Sequence, residues 1–149
     1  HAKTYHYYLL NARVDDPFLF DTCHRIWPAL DLAAMQAAAA KFVGTHDFSA
    51  LCASGSSAAA HGDTVRTITD CTVVQSGDLF TISVTADGYL YNMVRILAGT
   101  LVQAGLHKRT PDSIPPLLES RDRKQAGPTL PAKGLFLERV DYPGLDAIS

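Results

Sequence analysis

The stretch RTITDCTVVQSGDLFTISVTA, residues 66–86, decides the fold class, because two runs of strand-forming residues flank the turn signal Ser76-Gly77-Asp78. The first run, Arg66–Val74, is rich in Thr, Val and Ile, which favour strands. In the second run, one set of side chains alternates with another at period two: Phe80, Ile82, Val84 and Ala86 against Leu79, Thr81, Ser83 and Thr85. The stretch therefore predicts a β-hairpin.

Helices are predicted on both sides of the hairpin. The apolar run Tyr89–Ala104 follows it and meets a helix stop at Gly105. Upstream, Asp31–Val43 has a capping aspartate, apolar residues at helical spacing and a glycine directly after it. A third helix is predicted from Thr110 to about Glu119, since a proline follows the capping threonine.

Two further strands complete the predicted architecture. Thr4–Leu10 and Gly134–Tyr142 alternate at period two near the two ends of the chain. The order of strand, helix, hairpin, two helices and strand favours an α+β domain with a mostly antiparallel sheet and helices on one face. Ala53–Gly62 has neither period and is predicted to be a mobile loop.

Composition limits the class of protein. The 149 residues are 47% hydrophobic and 19% charged, with a net charge of -2, which is typical of one soluble domain without a global basic field. The three cysteines are odd in number and far apart, which argues against a disulfide framework or a zinc site and favours a reducing cytoplasm. The chain starts at His1 and has no signal peptide, so we expect a fragment of a longer polypeptide. The longest apolar run contains Arg95, so no membrane span is predicted.

Arg95 is the most informative single residue, since it is the one charged side chain between Gly88 and His107. Removing the partner of a buried ion pair costs about 3 to 5 kcal/mol, so a buried Arg95 requires a partner. One interpretation is a structural salt bridge within the chain, or an arginine whose charged end reaches solvent. The other is an arginine held against a catalytic carboxylate or a substrate phosphate.

The tyrosines near the amino terminus leave two interpretations open. Tyr5, Tyr7 and Tyr8 are consistent with ordinary packing of a strand. Tyr5 also lies near Lys3 and Arg13, and an aromatic ring flanked by cations is what a stacked base with its phosphate requires.

Other possible sites carry weaker signals. The sequence has no dinucleotide fingerprint, phosphate loop, nucleophile elbow or histidine pair at metal spacing. His46-Asp47 could be an acid–base pair, although such residues in turns more often cap backbone groups. The basic clusters Lys108-Arg109 and Arg121-Asp122-Arg123-Lys124 are of a kind that usually forms solvated surface, with contact to phosphates as the less common alternative.

Taken in order, several short motifs resemble the C-terminal half of the TruA family of tRNA pseudouridine synthases, and they cover nearly the whole chain. They are Lys3-Thr4-Tyr5-His6-Tyr7, Gly44-Thr45-His46-Asp47-Phe48, Arg66-Thr67-Ile68, Asp87-Gly88-Tyr89-Leu90-Tyr91-Asn92-Met93-Val94-Arg95, Gly99-Thr100-Leu101, Asp122-Arg123, Ala126-Gly127-Pro128-Thr129 and Lys133-Gly134-Leu135. The block from Asp87 to Arg95 is the most specific of them.

The resemblance implies isomerisation of uridine to pseudouridine in the tRNA anticodon stem-loop, at positions 38 to 40, without cofactor or metal. The family's catalytic aspartate belongs to a G-R-T-D-x-G-V-H motif that this sequence does not contain. Residues 1–149 thus resemble the C-terminal lobe, and the N-terminal lobe with the catalytic aspartate is expected to be missing. The family fold implies two lobes around one cleft, a homodimer and a basic surface for tRNA.

The resemblance also assigns residues. Tyr5 matches the tyrosine that lies against the target base, and Arg95 matches the arginine that pairs with the catalytic aspartate. Asn92, Arg66 and His46 belong to matching motifs and are expected to bind substrate. Independently of the resemblance, the basic side chains of the sequence expected to contact the RNA backbone are Lys3, Lys108, Arg109, Arg123 and Lys124.

Two alternatives remain at the level of sequence. The chain could be a non-catalytic RNA-binding module that uses its tyrosines and basic clusters. It could also be a structural domain in which Arg95 forms an ordinary internal ion pair.

Overall fold

A computed structural model describes residues 1–53 and 63–141, where six strands form one sheet. The elements are β1 (Ala2–Asn11), β2 (His24–Ile26), α1 (Leu32–Ala40), β3 (Gly44–Asp47), β4 (Val65–Ser76), β5 (Leu79–Ala86), α2 (Met93–Gly105), α3 (Ile114–Ser120) and β6 (Leu135–Asp141).

The sheet is mixed and mostly antiparallel. Its strand order is β2-β1-β5-β4-β3, and β6 also pairs with β1. Only the short pairing of β1 with β2 is parallel within this sheet. The predicted α+β class is confirmed.

The predicted hairpin is the centre of the sheet. β4 and β5 pair in antiparallel register from Ser76 and Leu79 outward, and Gly77 adopts a left-handed φ of 59° in the turn. Strict alternation on β5 buries one set of side chains in the core beneath the helices: Phe80, Ile82, Val84 and Ala86. The period-two pattern therefore predicted both the strand and its buried face.

Helix α2 begins at Met93, so the prediction of a helix from Tyr89 was wrong by about one turn. Asn92 has a left-handed φ of 62°, which a continuing helix does not allow. Tyr89 is also held against the sheet, because its hydroxyl lies 2.6 Å from the carbonyl of Lys3 and 2.8 Å from that of Val84. The apolar composition continues through residues 89–92, but the backbone does not follow it.

The other boundaries differ in smaller ways. α1 stops at Ala40, short of the predicted Val43, because the backbone turns towards Gly44, which has a φ of 125° and opens β3. The predicted cap is confirmed, since the Asp31 carboxylate accepts a hydrogen bond from the Ala34 amide at 3.1 Å.

At the carboxyl-terminal side, α3 begins at Ile114, after a 3₁₀ turn at Pro111–Ser113. β6 begins at Leu135, one residue after the predicted start. Its predicted end at Tyr142 and the loop predicted within Ala53–Gly62, except for Ala53, lie outside the described residues.

The segment after α3 lies directly on the backbone of α2. A Cβ atom on Gly99 would lie 1.9 Å from the carbonyl oxygen of Pro128, and one on Gly127 would lie 2.6 Å from the Gly99 carbonyl carbon. The buried Thr100 hydroxyl accepts a hydrogen bond from the Gly127 amide at 2.9 Å and donates to the Ile96 carbonyl. This contact fixes where residues 127–131 pass over the helix.

Asp47 organises the turn after β3. Its carboxylate accepts hydrogen bonds from the Ser49 amide at 2.9 Å, the Ser49 hydroxyl and the Thr64 hydroxyl at 2.8 Å, and Arg121 lies 3.4 Å away. Burial acts to raise the pKa of Asp47, but the hydrogen bonds and the Arg121 charge outweigh it, so the pKa lies below the usual range. Asp47 therefore caps backbone, as the simpler interpretation of the sequence expected.

The described residues show the state of the cysteines and the length of the helices. Cys23, Cys52 and Cys71 are buried thiols. No helix in the described ranges has the length and apolar content needed to cross a membrane.

We predict that Gly99→Ala destabilises the chain by about 3 kcal/mol, because the added methyl group meets a backbone carbonyl that cannot rotate away. In an uncrowded helix interior the same change stabilises by about 1 kcal/mol, so the sign itself is diagnostic. Gly88→Ala is the matched control, since its Cβ would meet only the flexible Arg66 side chain at 3.3 Å. Urea unfolding measures both, and a stabilised Gly99→Ala variant would contradict the close contact.

We predict that Asp47 makes stability depend on acid pH. Because its pKa is depressed in the folded state, its contribution is complete above the ordinary value of about 4 and is lost as pH falls through the lower folded value. Asp47→Asn should flatten this part of the profile of unfolding free energy against pH and lower stability at pH 7 by about 1 to 2 kcal/mol. Asp112→Asn, at a side chain that is 93% exposed, serves as the control and should change neither. Parallel profiles for Asp47→Asn and the parent chain would contradict the assignment.

Candidate functional site

A groove of about 360 Å³ lies between β1, the start of α2 and the segment before β6. Aromatic and apolar side chains line most of it, and Arg95 is its one charged lining residue among the residues described. The lining consists of Tyr5, Tyr89, Leu90, Tyr91, Asn92, Met93, Val94, Arg95, Ala132 and Leu135. The groove has the composition of a ligand site, since it is mostly apolar with few polar groups.

Arg95 is held by neutral acceptors. Its Nε donates to the Leu130 carbonyl at 2.7 Å, and its Nη1 donates to Oδ1 of Asn92 at 3.0 Å. The Leu130 amide donates back to the Arg95 carbonyl at 3.2 Å. Within residues 1–53 and 63–141, no carboxylate lies within 4.0 Å of this guanidinium. An internal ion pair for Arg95 is therefore not found in the described part.

The geometry leaves part of the guanidinium for another group. A guanidinium carries five N–H donors, and the two acceptors use one hydrogen of Nη1 and that of Nε. Nη2 makes no hydrogen bond with the described residues, and the side chain is half-buried. Arg95 can thus receive an anion through Nη2 and the second hydrogen of Nη1.

Asn92 has two roles at the start of α2. Its left-handed backbone ends the preceding loop, a conformation that asparagine adopts more readily than most residues. Its side-chain amide makes no capping hydrogen bond with the helix, so Oδ1 is available to Arg95. The amide therefore orients the arginine one turn further along.

Tyr5 and Tyr89 form an aromatic pair at the other side of the groove. Their ring centroids are 4.9 Å apart at an interplanar angle of 86°, an edge-to-face arrangement. Burial raises the pKa of the Tyr89 phenol, so its hydroxyl stays a donor to the sheet at neutral pH. Tyr89 thereby fixes the ring of Tyr5 in the groove.

Two residues expected to bind substrate lie outside this groove. Nε2 of His46 is 3.2 Å from the Val43 carbonyl, and its ring packs edge-on against Phe48. It lines a separate depression, which Asp47 and Arg121 also border.

Arg66, the other of these residues, contacts its own strand region. Its Nη1 donates to the Val65 carbonyl at 2.8 Å and lies 3.3 Å from the Asp63 carboxylate. Its side chain packs near Gly88, at the start of the loop that leads into the groove. The structure thus gathers Tyr5, Asn92 and Arg95 and leaves His46 and Arg66 to their local contacts.

The residues expected to contact RNA backbone divide into two kinds. Lys108 and Lys124 are exposed and Lys3 is half-buried. Nη2 of Arg109 donates to the Gln125 carbonyl at 2.6 Å, and burial lowers the pKa of Arg109. Its Nε and Nη1 are also buried, with no hydrogen-bond partner among the described residues.

Arg123 likewise makes an internal contact, donating to the Thr129 hydroxyl at 3.1 Å. The exposed lysines are therefore more available to an external phosphate than the two arginines.

The sequence did not reveal the backbone carbonyls of the site. The acceptor for Arg95 is the Leu130 carbonyl, and backbone groups carry no residue-type signal. The apolar run that predicted a helix from Tyr89 also concealed that tyrosine's role beside Tyr5. In the part of the chain that is described, no group of three or more His, Cys, Asp or Glu side chains could hold a metal ion.

An aromatic ring beside a fixed cation suits a planar group that lies near a negative charge. The ring offers a stacking surface and the guanidinium a directed charge-assisted hydrogen bond. This is the chemistry of a base and a neighbouring anion.

Comparison with known proteins gives a consistent result. The family model described as tRNA pseudouridine synthase matches residues 38–143. The chain is 44% identical over 141 residues to tRNA pseudouridine synthase A of Acetivibrio thermocellus, which covers 95% of this chain and 57% of that protein. It is 44% identical over 140 residues to the protein of the same name from Moorella thermoacetica, covering 94% of this chain and 56% of that protein.

The matches cover nearly all of this chain but only part of each relative. A protein of the same name from Shouchella clausii is 43% identical over 95% of this chain and 53% of its own length. The chain thus spans about half the length of the curated relatives it matches. On the family model and these identities, the chain belongs to the tRNA pseudouridine synthase family.

Proposed function

We propose that this chain forms one side of the active site of an enzyme that isomerises uridine to pseudouridine in the tRNA anticodon stem-loop, at positions 38 to 40. The observation that carries the proposal is Arg95, a half-buried cation that neutral acceptors aim into a groove containing Tyr5. Membership of the family supports the reaction class.

The proposed reaction needs no redox partner. The bond between N1 of uracil and C1′ of the ribose breaks, the ring rotates, and C5 bonds to C1′. The proton lost from C5 balances the proton gained at N1, so the product is an isomer. Tyr5 receives the base after it leaves the helical stack, which is required because the reacting atoms are inaccessible within stacked RNA.

We propose that the catalytic carboxylate comes from another part of the polypeptide. The sequence contains no G-R-T-D-x-G-V-H motif, and Arg95 has no acidic partner within the described ranges. An arginine next to a carboxylate lowers the pKa of the carboxylate and keeps the carboxylate ionised. The chain by itself is therefore inactive, because positioning of the base does not replace the missing carboxylate.

RNA binding, assembly and location belong to the same proposal. The proposed contacts with the RNA backbone are Lys3, Lys108, Arg109, Arg123 and Lys124, and the exposed Lys108 and Lys124 contribute more than the two internally bonded arginines, so binding falls with rising salt. The complete enzyme is a homodimer and acts in the cytoplasm, where buried thiols such as Cys23 and Cys71 stay reduced.

We predict that Tyr5→Leu in the full-length synthase lowers kcat/KM for tRNA by about tenfold or more, since base–aromatic stacking contributes roughly 1 to 3 kcal/mol per base. Tyr5→Phe should retain RNA affinity because the ring face remains. Tyr8→Leu is the control on the same strand, where the Tyr8 hydroxyl contacts Glu138 instead of the groove. Steady-state tritium release from labelled tRNA measures all three. Equal activity of the Tyr5→Leu variant and the parent enzyme would contradict a stacking role and indicate that Tyr5 only packs within the sheet.

We predict that Arg95→Met lowers turnover of the full-length synthase about 100-fold or more, as expected when roughly 3 kcal/mol is lost with the partner of a buried carboxylate. Affinity for tRNA should change little. In the isolated chain the same variant should lose only about 1 kcal/mol of stability, because its acceptors are neutral.

Arg25→Met supplies the control for Arg95. Nη1 of Arg25 also donates to backbone carbonyls, at 3.0 Å from that of Arg13, but it lies on β2 outside the groove. Its turnover should match that of the parent enzyme, and the isolated parent chain should form no pseudouridine. Product formation by the isolated chain would refute the proposed origin of the carboxylate and favour a different active site. Full turnover by the Arg95→Met variant would show that Arg95 has no role in catalysis.

A further inference from the structure

The orientation of Arg95 depends on a backbone carbonyl, and that carbonyl belongs to a segment without regular secondary structure. Leu130 lies between the 3₁₀ turns Arg123–Gln125 and Ala132–Gly134. A loop carbonyl can direct a guanidinium only if the loop itself is fixed. The contacts that fix this segment therefore also fix Arg95.

The segment is attached at both ends. At its start, the Gly127 amide donates to the buried Thr100 hydroxyl on α2 at 2.9 Å. At its end, the hydroxyl of Tyr7 on β1 donates to the Pro131 carbonyl at 2.6 Å. Leu130 lies between these two attachments and contacts Arg95 through both its amide and its carbonyl.

Tyr7 is suited to a fixed attachment. Tyr7 is fully buried. Its ring packs so closely against Gly134 that a Cβ atom added to Gly134 would lie 2.8 Å from Cζ of Tyr7. Burial raises the pKa of the Tyr7 phenol, an effect larger than the opposing influence of the Arg95 charge, so the hydroxyl stays protonated as a donor. A closely packed ring with one hydrogen bond has little freedom to release the carbonyl.

We propose that Tyr7 is a positioning residue for Arg95: its hydroxyl holds Pro131, which places the Leu130 carbonyl to direct the guanidinium into the groove. Tyr7 lies two residues from Tyr5 and on the same side of β1. One strand thus supplies both the ring that lines the groove and the hydroxyl that sets its cation. The effect on Arg95 geometry stands on the contacts alone, whereas the effect on turnover rests on the proposed function.

The direct test measures Arg95 in the isolated chain. With ¹⁵N-labelled arginine, exchange of the Arg95 Nε–H with water reports its hydrogen bond to Leu130. Tyr7→Phe removes one hydroxyl and keeps the ring, so we expect the exchange rate to rise about two- to tenfold, the range of one net hydrogen bond. Tyr8→Phe is the matched control, because its hydroxyl contacts the partly exposed Glu138, and it should leave exchange unchanged.

A second variant provides a test that does not depend on whether the Tyr7→Phe chain folds. Thr100→Val removes the attachment at the other end of the segment and should raise Arg95 exchange in the same direction. Unchanged exchange in both a folded Tyr7→Phe and a folded Thr100→Val chain would overturn the proposal. If only Thr100→Val raises exchange, Tyr7 is not the positioning residue.

Turnover of the full-length synthase separates this inference from the proposed function. Tyr7→Phe should lower kcat about two- to tenfold with KM unchanged, and it should have no further effect in an Arg95→Met background. An equal effect in both backgrounds would show that Tyr7 acts independently of Arg95. If Arg95→Met leaves turnover intact, the proposed function fails, and the exchange measurement still decides the role of Tyr7.

Discussion

The close contact between α2 and residues 127–128 is the constraint on which the rest of the site depends. Gly99 and Gly127 allow two backbones to meet without intervening side chains. Because of this approach, residue 130 reaches the side of Arg95 one helical turn earlier on α2. A methyl group at either glycine would separate the segment from the helix and remove the acceptor from the arginine.

The sheet supplies the second side of the groove through equally local contacts. β1 pairs with β5 on one side and with β6 on the other, so Tyr5 and Tyr7 lie on an internal strand of the sheet. Tyr89, in the loop before α2, connects that loop to the sheet because its hydroxyl lies within hydrogen-bond distance of the carbonyls of Lys3 and Val84. The Tyr89 hydroxyl thus holds its ring against the sheet, and that ring in turn contacts Tyr5 edge-on at the groove.

The sequence predicted those features that repeat along the chain. Alternation on β5 and the turn at Gly77 predicted the central hairpin. The isolation of Arg95 on an apolar helix singled this residue out, although the sequence left open an internal ion pair, a solvent-reaching side chain or an external anion as its environment. The sequence did not predict β2, which has three residues, or β3, which has four, because such short strands carry no periodic signal and form through pairing with distant strands. The start of α2 was wrong because the apolar run continues across a left-handed Asn92. The family motifs assigned His46 and Arg66 to substrate binding, but their described contacts lie outside the groove. A role for them in binding substrate stays a prediction.

The nature of the Arg95 acceptors has an electrostatic consequence. A carboxylate partner would both orient the guanidinium and neutralise it, so that little field would reach the groove. A carbonyl and an amide oxygen orient it through their dipoles and leave the net positive charge in place. In a half-buried position that charge is only partly screened by water, so an anion entering the groove gains more from it than from an exposed lysine. The site therefore combines rigid orientation with an unneutralised charge, and this combination suits the external carboxylate that we propose as the partner of Arg95.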